Sequence, residues 1–221
     1  MRIVADDLGV RLGGRVVFAG LSFDWSGPGI VAVTGRNGAG KTTLVKTLAS
    51  LLTPGRGTLR WEVGGRALRP AEARAQLGFA GPDVGLYDDL TALENLAFFA
   101  RARGLAWSAA DGLRWLETLG LAGRGDERLA GYSSGMKQRV KLAFAFQARP
   151  ALVLLDEPGS NLDADGRALT ARLVHEAATH ALVVVATNEA EEAAWGRTRF
   201  DLSDGAAPPR ALPDRLAGVA R

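Results

Sequence analysis

The chain has 221 residues, 47% hydrophobic and 23% charged, with a formal net charge of +3; this is ordinary globular composition, and the scattered lysines and arginines imply no nucleic-acid groove. It contains no cysteine, which excludes disulfides, thiolate catalysis and cysteine-ligated zinc. No apolar run approaches the ~18–20 residues that span a bilayer, and Met1-Arg2-Ile3-Val4 opens no apolar signal region, so any membrane role is expected through a partner.

In chain order, residues 2–10, 16–18 and 21–25 carry the β-branched and aromatic residues of strands, with turns at Gly13-Gly14 and Gly27-Pro28-Gly29. The run GIVAVTG, 29–35, is short, continuously apolar and bounded by glycines, which predicts a strand buried on both faces. KTTLVKTLASLL, 41–52, has helical spacing, with Leu44, Val45, Leu48, Leu51 and Leu52 on one face. Thr58–Val63 alternates like a strand. Residues 86–149 read as helical: Leu90, Leu93, Leu96, Ala97 and Ala100 fit one amphipathic helix, and Leu113, Leu116, Leu119 and Gly120 another. ALVLLD, 151–156, and the stretch 181–187 are further buried strands; 204–221 reads as an irregular turn with a short helix. Strands alternating with helices predict an α/β fold with a mainly parallel sheet, and no internal repeat is present.

GRNGAGKT, 35–42, has the full spacing of a phosphate-binding loop, between a predicted strand and a predicted helix. Gly35, Gly38 and Gly40 let the backbone curl so that N–H groups along Arg36, Asn37, Ala39 and Thr43 face phosphate oxygens, and the helix dipole favours the anion. Lys41 reaches the β- and γ-phosphates, and the Thr42 hydroxyl is a ligand for Mg²⁺. LVLLDEP, 152–158, ends an apolar strand with Asp156, placed to hold the same metal directly or through water. Glu157, the next residue, is placed to act as general base for an attacking water. A glycine-rich turn and a simple loop cap are the bland alternatives.

YSSGMKQRVKLAFAFQARP, 132–150, precedes that second strand and resembles the signature segment of ATP-binding-cassette (ABC) ATPases. The order of phosphate loop, signature, acidic strand end and GSNLD, 159–163, as a D-loop, resembles that family over nearly the whole chain. GLYDDLTALENLAFFARARG, 85–104, is similar to the start of its helical subdomain. The resemblance implies a P-loop NTPase core with an N-terminal antiparallel β-subdomain and an inserted helical subdomain. It divides the chain into about 1–85 and 150–221 as core, and about 86–149 as the helical part. It implies ATP and Mg²⁺ as cofactors, and a dimer in which Ser133, Ser134 and Gly135 face the γ-phosphate held by the second subunit. A helix start there suits an anion, and Ser134 is expected as the helix cap. The resemblance further implies an integral membrane transporter subunit as partner and a cytoplasmic, peripheral position on the inner face of the membrane.

Three positions depart from the family. LGFAGPD, 77–83, puts Pro82 where a glutamine is usual, with Asp83 beside it; Gln76 lies too early and reads as surface helix. The aromatic residue that stacks on adenine is missing near Leu12, leaving Phe18 as a substitute or as core. The histidine that contacts the γ-phosphate is replaced by Asn188, while His175 and His180 read as solvated. Asn188, with Glu191 three residues on, also fits a capping-box-like helix start; as a sensor it positions phosphate without becoming charged.

GGRVVFAGLSF, 13–23, and GLYDDLTALENLAFF resemble ATP-binding subunits of cytochrome-c-biogenesis haem exporters. Drug, polysaccharide and sodium exporters remain open. Soluble ABC ATPases of DNA repair or translation are disfavoured, since no coiled-coil or zinc insertion and only one phosphate loop occur. A binding module that hydrolyses poorly is disfavoured by Lys41, Asp156 and Glu157.

Overall fold

The computed structural model describes residues 1–202; the 204–221 stretch lies outside them. A first hairpin joins β1 (Arg2–Leu12) to β2 (Arg15–Ser26), antiparallel. β2 is one irregular strand where two short ones were expected. β4 (Arg56–Val63) pairs antiparallel with β1, and β5 (Arg66–Leu68) closes the sheet in the order β2-β1-β4-β5. The second sheet is parallel throughout, in the order β6-β7-β8-β3-β9. Its strands are β3 (Gly29–Thr34), β6 (Leu77–Ala80), β7 (Leu152–Asp156), β8 (Leu182–Ala186) and β9 (Thr198–Asp201).

The helices are α1 (Lys41–Leu48), α2 (Pro70–Ala75), α3 (Ala92–Ala102), α4 (Ala109–Thr118), α5 (Ser134–Phe146), α6 (Ala164–Ala177) and α7 (Ala190–Ala193). Strand periodicity divides the apolar residues between two cores. Leu152, Leu154, Leu182, Val184 and Ala186 face α1 and the antiparallel sheet, packing with Leu44, Leu48, Ile3 and Trp61. Val153, Leu155, Val183 and Val185 face the other way, among Leu96, Leu116, Val140, Phe144 and Val174 of the helices. All five residues of β7 and of β8 are buried, as a strand covered by helices on one side and a second layer on the other requires.

α5 lies so close to β6 that a methyl group at Gly78 would sit 1.8 Å from the Ala145 carbonyl oxygen. That approach fixes the helix carrying the signature segment against the strand next to Asp156.

Three expected helical faces are corrected. α1 ends at Leu48 rather than running to 52, because Ser50 takes a left-handed φ of 57°. Ser50 N–H donates to Thr47 O at 2.9 Å and Leu51 N–H to Lys46 O at 2.9 Å, a Schellman closure with serine where glycine is usual; Leu51 is 56% exposed. α3 starts after Leu90, since Thr91 caps it: Thr91 Oγ1 accepts from Glu94 N–H at 3.2 Å, and Glu94 Oε2 accepts from Thr91 N–H at 2.8 Å. In α4, Leu116 is buried but Leu113 is 54% exposed, because the buried side of this helix runs through Gly112 and Leu116.

Candidate nucleotide site

The loop between β3 and α1 turns through three left-handed glycines, Gly35 (φ 142°), Gly38 (φ 79°) and Gly40 (φ 100°). Only glycine takes such angles without strain. Gly40 also has no room for a side chain, since a methyl group there would lie 2.6 Å from Val17 Cγ1. The first intrahelical bond of α1 is Leu44 N–H to Gly40 O, 2.8 Å. The N–H groups of Lys41, Thr42 and Thr43 therefore lie ahead of the helical ladder, free for an anion. No acidic residue occupies that first turn.

Lys41 is 6% exposed. Its Nζ donates to Gly35 O at 2.9 Å, to Arg36 O at 3.3 Å and to Asn188 Oδ1 at 2.6 Å. Asn188 Nδ2 in turn donates to Asn37 Oδ1. The amide thus clamps the loop from the C-terminal end of β8. A cavity of about 590 Å³ opens here, lined by Thr34, Gly35, Arg36, Asn37, Thr187 and Asn188 among others.

The capping role expected for Asn188 is not found. The cap of α7 is Glu189, with no side-chain capping bond. The turn is closed instead by Glu189 N–H donating to Thr187 Oγ1 at 2.9 Å, which leaves the Asn188 side chain aimed at the phosphate loop.

Asp156 ends β7 with 1% exposure, and its carboxylate oxygens make no hydrogen bond of standard geometry. Burial raises its pKa above the ordinary value; Glu157 adds to the rise, while the Thr42 hydroxyl, Lys41 and Lys46 oppose it. A buried carboxylate orphaned in this way is what a hard divalent cation would satisfy, and the Thr42 hydroxyl beside it offers a second oxygen. Glu157 follows at a left-handed φ of 49°, its N–H donating to Ala186 O at 2.8 Å. It lines a second cavity of about 630 Å³ together with Asn37, Asn188, Glu192 and the 159–162 segment.

Ser133, Ser134 and Gly135 lie elsewhere. Ser133, not Ser134, is the cap of α5: its Oγ accepts from Met136 N–H at 3.2 Å. Ser134 is the first helical residue, so its side chain is released from that task. These residues line a third cavity of about 460 Å³ with Arg124, Arg139 and Asn161. None of the phosphate-loop residues lines that cavity. The chain therefore brings Lys41, Thr42, Asp156, Glu157 and Asn188 to one place and the signature to another.

The departures also resolve. Phe18 is 2% exposed in the core, against Gly40, so it is not available to stack on a base; Leu12 stands 45% exposed at the hairpin tip. Asp83 is ion-paired with Lys46, and Lys141 Nζ donates to Pro82 O at 3.2 Å. Gln76 ends α2, exposed, and His175 and His180 are exposed on and just after α6. Sequence reasoning missed Glu192, a buried carboxylate hidden in an acidic, alanine-rich stretch.

The sequence model of the ABC transporter family matches residues 18–160. The "Cytochrome c biogenesis ATP-binding export protein CcmA" of Dechloromonas aromatica is 39% identical over 159 residues, 72% of this chain and 78% of that protein. The solved "Structure of ATP binding subunit of ABC transporter" superposes with a TM-score of 0.79 at 28% identity, over 91% of this chain and 85% of that one. A dimeric post-hydrolysis ATP-binding cassette bound to ADP and Pi superposes with a TM-score of 0.80 at 22% identity, over 92% and 95%, a likeness of fold. Family match, sequence identity and fold agree with a phosphate loop built on an α/β core: the chain belongs to the ABC transporter family, as one of its ATP-binding, ATP-hydrolysing subunits.

Proposed function

We propose that two ATP-binding subunits close around two nucleotides, each site taking its phosphate loop from one chain and its signature from the other. The observation that carries this reading is that Ser133–Gly135 open into a different cavity from the phosphate-loop residues Gly35, Arg36 and Asn37, which leaves the signature free to serve a nucleotide held by a second chain. A solved ATP-binding cassette of the same fold is itself dimeric, with ADP and Pi bound.

At each site the free N–H groups at the start of α1 bind the phosphates, and Lys41 exchanges its loop carbonyls for phosphate oxygens. Asp156 and the Thr42 hydroxyl would hold Mg²⁺, whose charge would offset that of the β- and γ-phosphates. Glu157 takes the proton of the attacking water, and Asn188 fixes Lys41 and the γ-phosphate relative to each other. Ser133 and the N–H groups of Ser134 and Gly135 complete the opposite side of the phosphate.

Closing and opening of this dimer drives a membrane subunit between two states. Among the described residues no helix is long and apolar enough to cross a membrane; as in ABC transporters with separate subunits, the span belongs to the membrane subunit and the chain sits peripherally on the cytoplasmic face. An open apolar groove on the helical insert, lined by Leu90, Leu93, Ala97, Phe98 and Trp107, provides the docking surface. The CcmA relatives favour export in cytochrome c biogenesis, with haem as cargo.

Phosphate release by the purified chain tests the site. Lys41→Ala and Glu157→Gln are expected to abolish it, and Asp156→Asn to remove its Mg²⁺ dependence together with the residual rate. Near-normal turnover in Glu157→Gln overturns the assignment of the base. Co-purification with a membrane subunit of the haem-exporter type tests the cargo; association with a drug or polysaccharide exporter overturns it.

A further inference from the structure

Glu192, on α7, is 2% exposed; its carboxylate oxygens make no hydrogen bond of standard geometry, and the polar groups that act on it are the Thr187 hydroxyl and the Gly159 N–H. Burying a carboxyl group with so little hydrogen bonding is unfavourable, so its position calls for a cause. Glu192 lies against the loop that follows Glu157: a methyl group on Gly159 would sit 2.1 Å from Glu192 Oε1. On its other side is Thr187, whose hydroxyl oxygen accepts from Glu189 N–H and whose own hydrogen is free to be donated.

The loop itself is pinned from the signature side. Gln138 Nε2 donates to Pro158 O at 3.0 Å and Arg139 Nη2 to Asp163 Oδ1 at 2.6 Å, both from α5. Arg167 Nη1 donates to Leu162 O at 2.7 Å. Glu192 meets this same loop at Gly159 from the segment that bears Asn188.

We propose that Glu192 is a positioning residue for hydrolysis: it sets the Gly159–Asp163 loop against the Thr187-Asn188 turn, and so fixes where Glu157 stands relative to Lys41. The role rests on the reading of Glu157 as the base. The charged groups that share its cavity are Glu157, Glu189, Glu191 and Arg167. Burial first, then Glu189 and Glu157, push the Glu192 pKa up, against the Thr187 hydroxyl and the Gly159 N–H. Arg167 is engaged with Leu162. Glutamine keeps the shape of this side chain and can both accept and donate a hydrogen bond without carrying charge.

The test is steady-state ATPase kinetics on four variants. Glu192→Ala is expected to lower kcat by about 10–100-fold, the scale for misplacing a catalytic group, with KM for ATP nearly unchanged. Glu192→Gln, neutral and of the same shape, is expected to keep kcat within about threefold. Gly159→Ala displaces the same loop and is expected to lower kcat alone; joined to Glu192→Ala, it is expected to add little. A wild-type kcat in Glu192→Ala overturns the proposal. So does a Glu192→Gln variant as slow as Glu192→Ala, a loss confined to KM, or full multiplication of the Gly159 and Glu192 effects. Glu157→Gln measured alongside separates the two claims: turnover retained there refutes the base, whereas its loss with an active Glu192→Ala refutes only the positioning role.

Discussion

Lys41 and Asn188 are joined directly: the lysine ammonium donates to the asparagine side-chain oxygen at 2.6 Å, across 147 residues of sequence. Asn188 is therefore part of the phosphate loop's support before any nucleotide arrives. Its second bond, to Asn37, holds the outer turn of the same loop. Where the family usually places a histidine, this chain has a group that fixes the lysine without carrying charge of its own.

That pairing predicts the behaviour of Asn188 variants. Asn188→Ala is expected to slow hydrolysis by up to about 10²–10³-fold, as for loss of one donor at a transition state. The melting temperature of the nucleotide-free protein is expected to fall as well, through loss of the bonds to Lys41 and Asn37 and not of a helix cap, since the cap of α7 is Glu189. Asn188→His is expected to preserve or raise the rate. Phosphate release and thermal melts on the two variants check this together, and an unchanged rate in Asn188→Ala would remove it from the site.

A second prediction concerns pH. The Glu192 pKa is raised in the folded chain above its ordinary value of 4.5. In the window above 4.5 the unfolded chain has released this proton while the folded chain still holds it, so the folded state binds more protons. Stability from this group is fully present below 4.5 and is lost as pH rises through the raised folded value. Glu192→Gln cannot titrate and escapes that loss. Its melting temperature is expected to exceed that of the natural chain at pH 7, with the gap shrinking to nothing near pH 4. A gap that stays constant with pH would show that folding does not raise the Glu192 pKa.

Base recognition gives a third. Leu12 occupies the exposed hairpin tip where an aromatic ring is usual, and Phe18 is committed to the core. Leu12→Tyr is expected to tighten ATP binding by about 2–10-fold, the worth of one stacked ring, with kcat unchanged. Fluorescence titration with ATP and with tripolyphosphate measures it: the gain should appear only where a base is present.

Much of this was legible in the sequence because it is local. Eight residues from Gly35 to Thr42 fix the phosphate loop by spacing alone, and the buried strands ending at Asp156 and Ala186 declare themselves as short apolar runs. What was hidden depends on tertiary context. A serine, not a glycine, closes α1 at Ser50, so the helix looked four residues longer than it is. Asn188 reads as a cap until the Thr187–Glu189 turn shows its side chain facing Lys41. Ser133 takes the capping task expected of Ser134. β9 is a four-residue strand, TRFD, too short to show a period, and it enters the sheet only through parallel pairing with β3. Glu192 sits in a stretch of alanines and glutamates whose composition argues for solvent, yet the approach of Gly159 buries it.

Whether two chains share one site is decided by sedimentation of Glu157→Gln with and without Mg-ATP. Monomers are expected without nucleotide and dimers with it, and no ATP-driven dimer once Gly135→Asp is added to block the signature. A Glu157→Gln chain that stays monomeric in saturating Mg-ATP, or one that dimerises equally well with the signature blocked, would contradict a shared site.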